Sequence, residues 1–160
     1  MARLSDMDSS SRRFVERYPF PDLETPALHR LPKPLKECRI ALVTTAGLHL
    51  REDKPFSGAF LASDCSFRQL PASARLSDIA ISHTSKEFDQ SGIMDDLNAV
   101  YPIDRLTELV KEGKLGSLAS FHYSFMGSLP RVGELRKKTA PEVAALLRSD
   151  SVDLALLTPV

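Results

Sequence analysis

The sequence predicts an α/β domain built on an open parallel sheet of about four strands with crossover helices, Rossmann-like or flavodoxin-like in outline. Three observations carry that expectation. Short apolar runs rich in Val, Ile and Leu recur along the chain, as strands buried on both faces require. Between them lie stretches with apolar residues at helical spacing, bounded by proline and glycine, and the joints are short. The last run, Val152 to Val160, closes the chain, so the sheet reads as incomplete at its C-terminus.

Taken in order, Met1 to about Glu16 carries Ser, Asp and Arg without periodicity, which gives a flexible start and a short helix near Ser11 to Tyr18. Pro19, Pro21, Pro26, Pro32 and Pro34 each fix their own φ and disfavour helix in the preceding residue. Residues 1–34 are therefore a flexible start and a proline-rich arm, with Phe20, Leu23 and Leu28 available to dock, and 35–160 is the α/β domain. Arg39 to Thr45 reads as a buried parallel strand opening into a loop at Ala46-Gly47. Leu48 to Ala74 lacks a sustained period and reads as a long surface loop of the kind that carries function. Ser77 to Ser82 reads as the second strand, leaving His83 and Thr84 at its carboxyl end.

Leu106, Leu109 and Val110 share one helical face between Pro102 and Gly113, which predicts a helix over Asp104 to Glu112. Ser117 to Phe125 is the third strand. Thr139-Ala140-Pro141-Glu142 supplies an N-cap, an early proline and an acidic first turn for a helix with Val143, Leu146 and Leu147 on one face. Val152 to Leu157 is the fourth strand, an apolar edge of the type that pairs with neighbouring chains, so residues 1–160 are expected to aggregate or form a homo-oligomer.

Of the 160 residues, 42% are apolar and 26% charged, a globular composition. Its 21 basic and 21 acidic residues cancel, which argues against an electrostatic grip on nucleic acid or an anionic membrane. The N-terminus has no apolar secretion core and no run of 18 apolar residues occurs, which predicts a cytoplasmic protein. Two cysteines, Cys38 and Cys65, are too distant for a CxxC pair and too few for a cysteine zinc cluster. Cys38 reads as packing at the start of a strand and Cys65 as an ordinary loop cysteine. No glycine set forms a phosphate cradle, so a dinucleotide is disfavoured.

Side chains that meet a ligand in a parallel sheet sit at the carboxyl ends of the strands. The candidates for a substrate rim are Thr45 and His49 after the first strand, His83 and Thr84 after the second, His122, Tyr123 and Ser124 on the third, and Thr158 on the fourth. Asp89 is placed to fix the tautomer of His83, against the plainer reading of a histidine bonded to its own loop. Arg105, close to a positive helix end, calls for an ion pair or a ligand carboxylate. Histidines without HxxxH or HExxH spacing give no metal site, and Asp95, Asp96 and Asn98 read as a turn. His122-Tyr123-Ser124 also fits an aromatic turn packed under the sheet.

A series of strings, in order, resembles the selenoprotein B family of the glycine, sarcosine, betaine and D-proline reductases. They are Ala41-Leu42-Val43-Thr44-Thr45-Ala46-Gly47-Leu48-His49, Asp64-Cys65-Ser66-Phe67-Arg68, Ile81-Ser82-His83-Thr84 with Asp89, Asp96-Leu97-Asn98-Ala99-Val100-Tyr101-Pro102-Ile103-Asp104-Arg105-Leu106, His122-Tyr123-Ser124-Phe125-Met126-Gly127 and Val152 to Val160. The resemblance covers roughly Leu35 to Val160. In that family a segment like Val152 to Val160 runs directly into a selenocysteine or cysteine with further cysteines close behind. The resemblance implies reductive cleavage of a carbon–nitrogen bond in a glycine-, betaine-, sarcosine- or proline-like small molecule, with a low-pKa selenol or thiol as nucleophile. The catalytic residue would then follow Val160, the chain itself would hold no cofactor and be inactive alone, and reductase subunits, one with a pyruvoyl group, would be its partners. The corresponding expectation is a selenoprotein frame closed early at a TGA codon. Two other readings stand beside it: a non-catalytic α/β module that holds a small ligand or partner, and a cofactor-free racemase or lyase, for which Cys38 and Cys65 are poorly placed.

Overall fold

The computed structural model describes residues 3–18, 25, 27, 29–57, 63–83 and 90–160. The chain divides into two compact units, Met1–Arg30 and Leu31–Val160. In the first, helix α1 (Ser9–Arg17) begins where the Asp8 carboxylate accepts from the amides of Ser10 and Ser11, 2.9 and 3.1 Å away. That cap starts the helix two residues before the predicted position. The expected docking of Phe20, Leu23 and Leu28 falls outside the described residues.

The second unit runs β1 (Arg39–Thr44), β2 (Leu48–Leu50), β3 (Phe67–Pro71), β4 (Ile79–Ile81), α2 (Ser91–Asp95), α3 (Ile103–Lys111), β5 (Ser117–Leu118), β6 (Phe121–Phe125), α4 (Ala140–Ser149) and β7 (Leu154–Thr158). β1 is central and pairs in parallel with β5, β6 and β7. β7 follows β1 from Ile40 to Thr44, so β5 and β6 share the opposite edge in succession. Between them the register slips: Ile40 faces Leu118, yet Val43 faces Tyr123, so the strand bulges at Ala119 and Ser120. β3 adds antiparallel to β6 on the far side. The sheet is α/β and mostly parallel, as predicted, with helices against both faces.

Alternation along the strands makes the two faces. Ile40 and Leu42 join Ile103 and Leu106 of α3 in one apolar cluster, while Val43, Tyr123 and Phe125 pack with Val143, Leu146 and Leu147 of α4 in another. The sequence expectation differs at three elements. Leu48 to Ala74 is not all loop, since it contributes β2 and the outer strand β3. Residues 79–81 are not a strand of the main sheet but pair antiparallel with β2 in a separate ribbon, Leu48 opposite Ile81. Ile79 and Ile81 both pack on the apolar cluster that holds Leu48 and Leu50. Thr139 does not cap α4 with its side chain; a π-helical turn over Leu135–Thr139 leads in, and the Thr139 hydroxyl donates to the Cys65 carbonyl.

Candidate functional site at the carboxyl ends of the strands

The carboxyl ends of β1, β6 and β7 converge on a small group of backbone and hydroxyl groups. Thr45, just past β1, accepts from the Val160 amide at 2.9 Å and donates to the Val160 carbonyl at 3.1 Å through one hydroxyl. Its own amide and the Thr44 hydroxyl both donate to the Thr158 carbonyl, at 3.3 and 3.2 Å. The paired threonines of this sequence thus pin the end of β7 to the end of β1.

Two glycines allow a third element to approach. Gly47 has φ +66, a left-handed conformation that suits a residue without Cβ, and a side chain there would meet the His83 backbone at 3.1 Å. Its carbonyl accepts from the Ser82 amide at 3.0 Å, which carries His83 over the rim. Gly127 follows β6, and a Cβ on it would lie 2.7 Å from the Val160 carbonyl, 2.8 Å from His83 Nε2 and 3.0 Å from the Thr45 carbonyl. An imidazole nitrogen and the end of β7 therefore close tightly around Gly127, where only a residue without Cβ fits. His83 is 8% exposed, and burial lowers its pKa, so the ring is neutral at pH 7.

Among the predicted rim residues, Thr45 and His83 meet at this point. Thr158 lies next to it as an anchor, donating to the Val100 carbonyl at 2.9 Å. Thr84 and Asp89 lie outside the described residues. His49 is buried in the ribbon with Nδ1 2.6 Å from the Leu50 carbonyl. Arg105 is exposed and pairs with Glu108 at 3.0 Å, the ion pair its position called for. Asp96 caps its 3-10 turn by accepting from the Asn98 amide.

The His122-Tyr123-Ser124 run is structural. His122 is fully buried, and Nδ1 accepts from the Leu42 amide at 3.0 Å, filling the ladder position that the bulge leaves without a carbonyl. That bond places the ring proton on Nε2. Burial holds its pKa down to about 4. Ser124 accepts from the Leu48 amide at 2.7 Å, and Tyr123 lies on the α4 face with its ring edge against Phe67. Cys65 lies in the loop before β3, as expected, and is buried, with Sγ 3.4 Å from the Arg131 carbonyl. Among the described residues no three His, Cys, Asp or Glu side chains are grouped to hold a metal, and no helix is long and apolar enough to cross a membrane. Sequence reasoning did not single out Gly127; its one signal was a glycine within two residues of a strand end.

The fold and the rim define an α/β domain whose strand ends pack threonine hydroxyls, a histidine and two glycines closely together. The chain belongs to the family described as glycine/sarcosine/betaine reductase selenoprotein B, which it matches over residues 7–160. It is 39% identical over 126 residues to the D-proline reductase subunit gamma of Acetoanaerobium sticklandii, covering 79% of this chain and 50% of that protein. It is 28% identical over 142 residues to the glycine reductase complex component B subunit gamma of Carboxydothermus hydrogenoformans, 86% of this chain and 32% of the relative. With the betaine reductase complex component B subunit beta of Peptoclostridium acidaminophilum it shares 25% identity over 149 residues, 93% of the chain and 34% of the relative. The chain thus spans between a third and a half of the length of these relatives. No solved structure matches it significantly.

Proposed function

We propose that this chain forms the scaffold of a selenoprotein B-type reductase component and that its strand-end rim seats a selenol or thiol carried by the residue after Val160. The substrate class is a small amine such as glycine, sarcosine, betaine or D-proline, and the partners are further reductase subunits, one of them contributing a pyruvoyl carbonyl. The observation that carries this reading is the meeting of Val160, Thr45, Gly127 and His83 at one point. When present, the selenol or thiol supplies, as its anion, the nucleophile for cleavage of the carbon–nitrogen bond.

The residues of this chain have definable tasks in that reading. Thr45 fixes the peptide of Val160 from both sides and so aims whatever follows it. Gly127 keeps the point free of side-chain atoms. His83, neutral at pH 7, takes a proton at Nε2 from the selenol or thiol and holds it beside the anion. The nucleotides after codon 160 test the proposal: TGA followed by an open frame with a nearby cysteine codon supports it, whereas TAA or TAG overturns it.

A second reading, a non-catalytic ligand-holding module, draws on an open cleft of about 510 Å³ between Arg51, Leu76, Ile79, Ile93 and Asp96. Isothermal titration of this chain with small amino acids separates the two, since saturable binding that survives substitution of His83 favours the module.

A further inference from the structure

We infer that Arg68 is a positioning residue for the strand-end rim: from β3 it braces the backbone of residues 54–56, and through that segment it holds His83 against Gly127. The placement of His83 is a property of this chain by itself, while its bearing on chemistry rests on the selenol or thiol reading of the rim.

The line from Arg68 to His83 is continuous. Its Nε donates to the Lys54 carbonyl at 2.9 Å and Nη2 to the Pro55 carbonyl at 3.3 Å, and the guanidinium lies 4.3 Å from the centre of the Phe56 ring. Nη1 donates to the Ser66 hydroxyl and the Phe67 carbonyl, at 2.9 and 3.0 Å, which fixes the fork on its own strand. A lysine, with one ammonium on a flexible stem, cannot hold two loop carbonyls and its own strand at once. The segment so held buries Phe56 and brings its amide to the Ser82 hydroxyl, 3.0 Å away. Ser82 donates twice to the Gly47 carbonyl, from its amide at 3.0 Å and its hydroxyl at 3.3 Å. His83 is the next residue, and its carbonyl accepts from the Gln90 side-chain amide at 3.3 Å.

The residues leading to Arg68 hold the other side of the rim. Asp64 accepts from the Ser57 amide at 2.7 Å and the Ser66 amide at 3.1 Å, which closes this loop on itself. The Ser63 hydroxyl accepts from the Arg131 amide at 3.0 Å and the Cys65 thiol donates to the Arg131 carbonyl, so the loop leaving Gly127 is tied to it. Ser63 and Ser128 both hold left-handed backbone, φ +46 and +52, which a residue with a side chain keeps only where its surroundings impose it. Residues 63–68 thus reach both partners of the close approach, His83 and Gly127.

Hydrogen exchange in the 160-residue protein tests the brace by itself. Arg68→Lys is expected to make the Ser82 amide exchange about tenfold faster while the amides of the β1–β7 ladder keep their rates. With a cysteine placed directly after Val160, alkylation at pH 7 is expected to slow several-fold in Arg68→Lys and equally in Ser82→Ala, to the rate that His83→Phe gives. Adding either substitution to His83→Phe is expected to slow it no further. Asp150→Ala, at the other end of the sheet, controls for stability and leaves both readouts in place. An unchanged Ser82 amide in Arg68→Lys overturns the inference, as does faster exchange spread evenly over the sheet. So does an alkylation rate that responds to His83→Phe but not to Arg68→Lys. A rate indifferent to His83→Phe overturns the selenol or thiol reading instead, and the Ser82 amide then decides the brace.

Discussion

The two ends of the parallel sheet are built for different purposes. At the amino end, polar groups are closed by charge. Arg39 reaches Asp150 at 2.6 Å, Asp150 accepts from the Ser120 amide at 2.6 Å, and Asp153 joins Lys33 to the start of β1. At the carboxyl end no ion pair appears among the described residues, and threonine hydroxyls, two glycines and a neutral histidine hold the backbone in place. One end ties strands together by charge; the other packs an imidazole against Gly127 and the end of β7. Ligands of parallel sheets are generally met at the carboxyl ends of the strands, and here the rim closed by charge is the other one.

The sharpest way to break this division is a matched pair of glycine substitutions. A Cβ on Gly116, at the amino end, would meet the Cys38 carbonyl and the Glu37 backbone, both at 2.6 Å. Gly116→Ala is expected to lower stability by about 3 kcal/mol in urea unfolding, since main chain on both sides has to move. Gly127→Ala meets the end of β7 and a side-chain nitrogen, and is expected to cost only about 1 kcal/mol while it disturbs the rim.

His122 tests the layer between the two ends. Its folded pKa of about 4 lies below the ordinary 6.5, so the unfolded chain takes up a proton that the folded chain refuses. Its contribution is present above pH 6.5 and is lost as pH falls through 4, by up to about 3 kcal/mol. Urea midpoints measured over this window should fall steadily, and His122→Gln should flatten the slope. Next in size, Asp150→Ala removes the partner of Arg39 and of the Ser120 amide, and is expected to cost about 2 kcal/mol with no change in the environment of His83. A shift in the His83 ring resonances in that variant would show that the two ends are coupled.

Much of the fold was legible because its signals are local. β1, α3, α4 and β7 each announce themselves by an apolar run or an apolar face with punctuation at the ends. β3 did not, because an outer strand with Arg68 and Gln69 has no apolar run to display. Ile79 to Ile81 was legible as a strand but not as part of the ribbon, since pairing partners are a property of the tertiary fold. At the site, Thr45 and His83 were legible from their place after strands. Gly127 was not, because its role lies in the three groups around it, which come from β1, β7 and the turn after β4. The backbone role of His122 was not legible for a related reason: a histidine at a strand position gives no sign that a neighbouring bulge needs its nitrogen.

We propose the place where His83, Gly127, Thr45 and Val160 meet as the seat of a selenol or thiol. A cysteine placed directly after Val160, with its alkylation rate followed against pH, tests this most directly. The expected thiol pKa is roughly one unit or more below the free value of about 8.5, returning to that value when His83→Phe is added. An ordinary thiol pKa with His83 in place, unchanged by its removal, would contradict it.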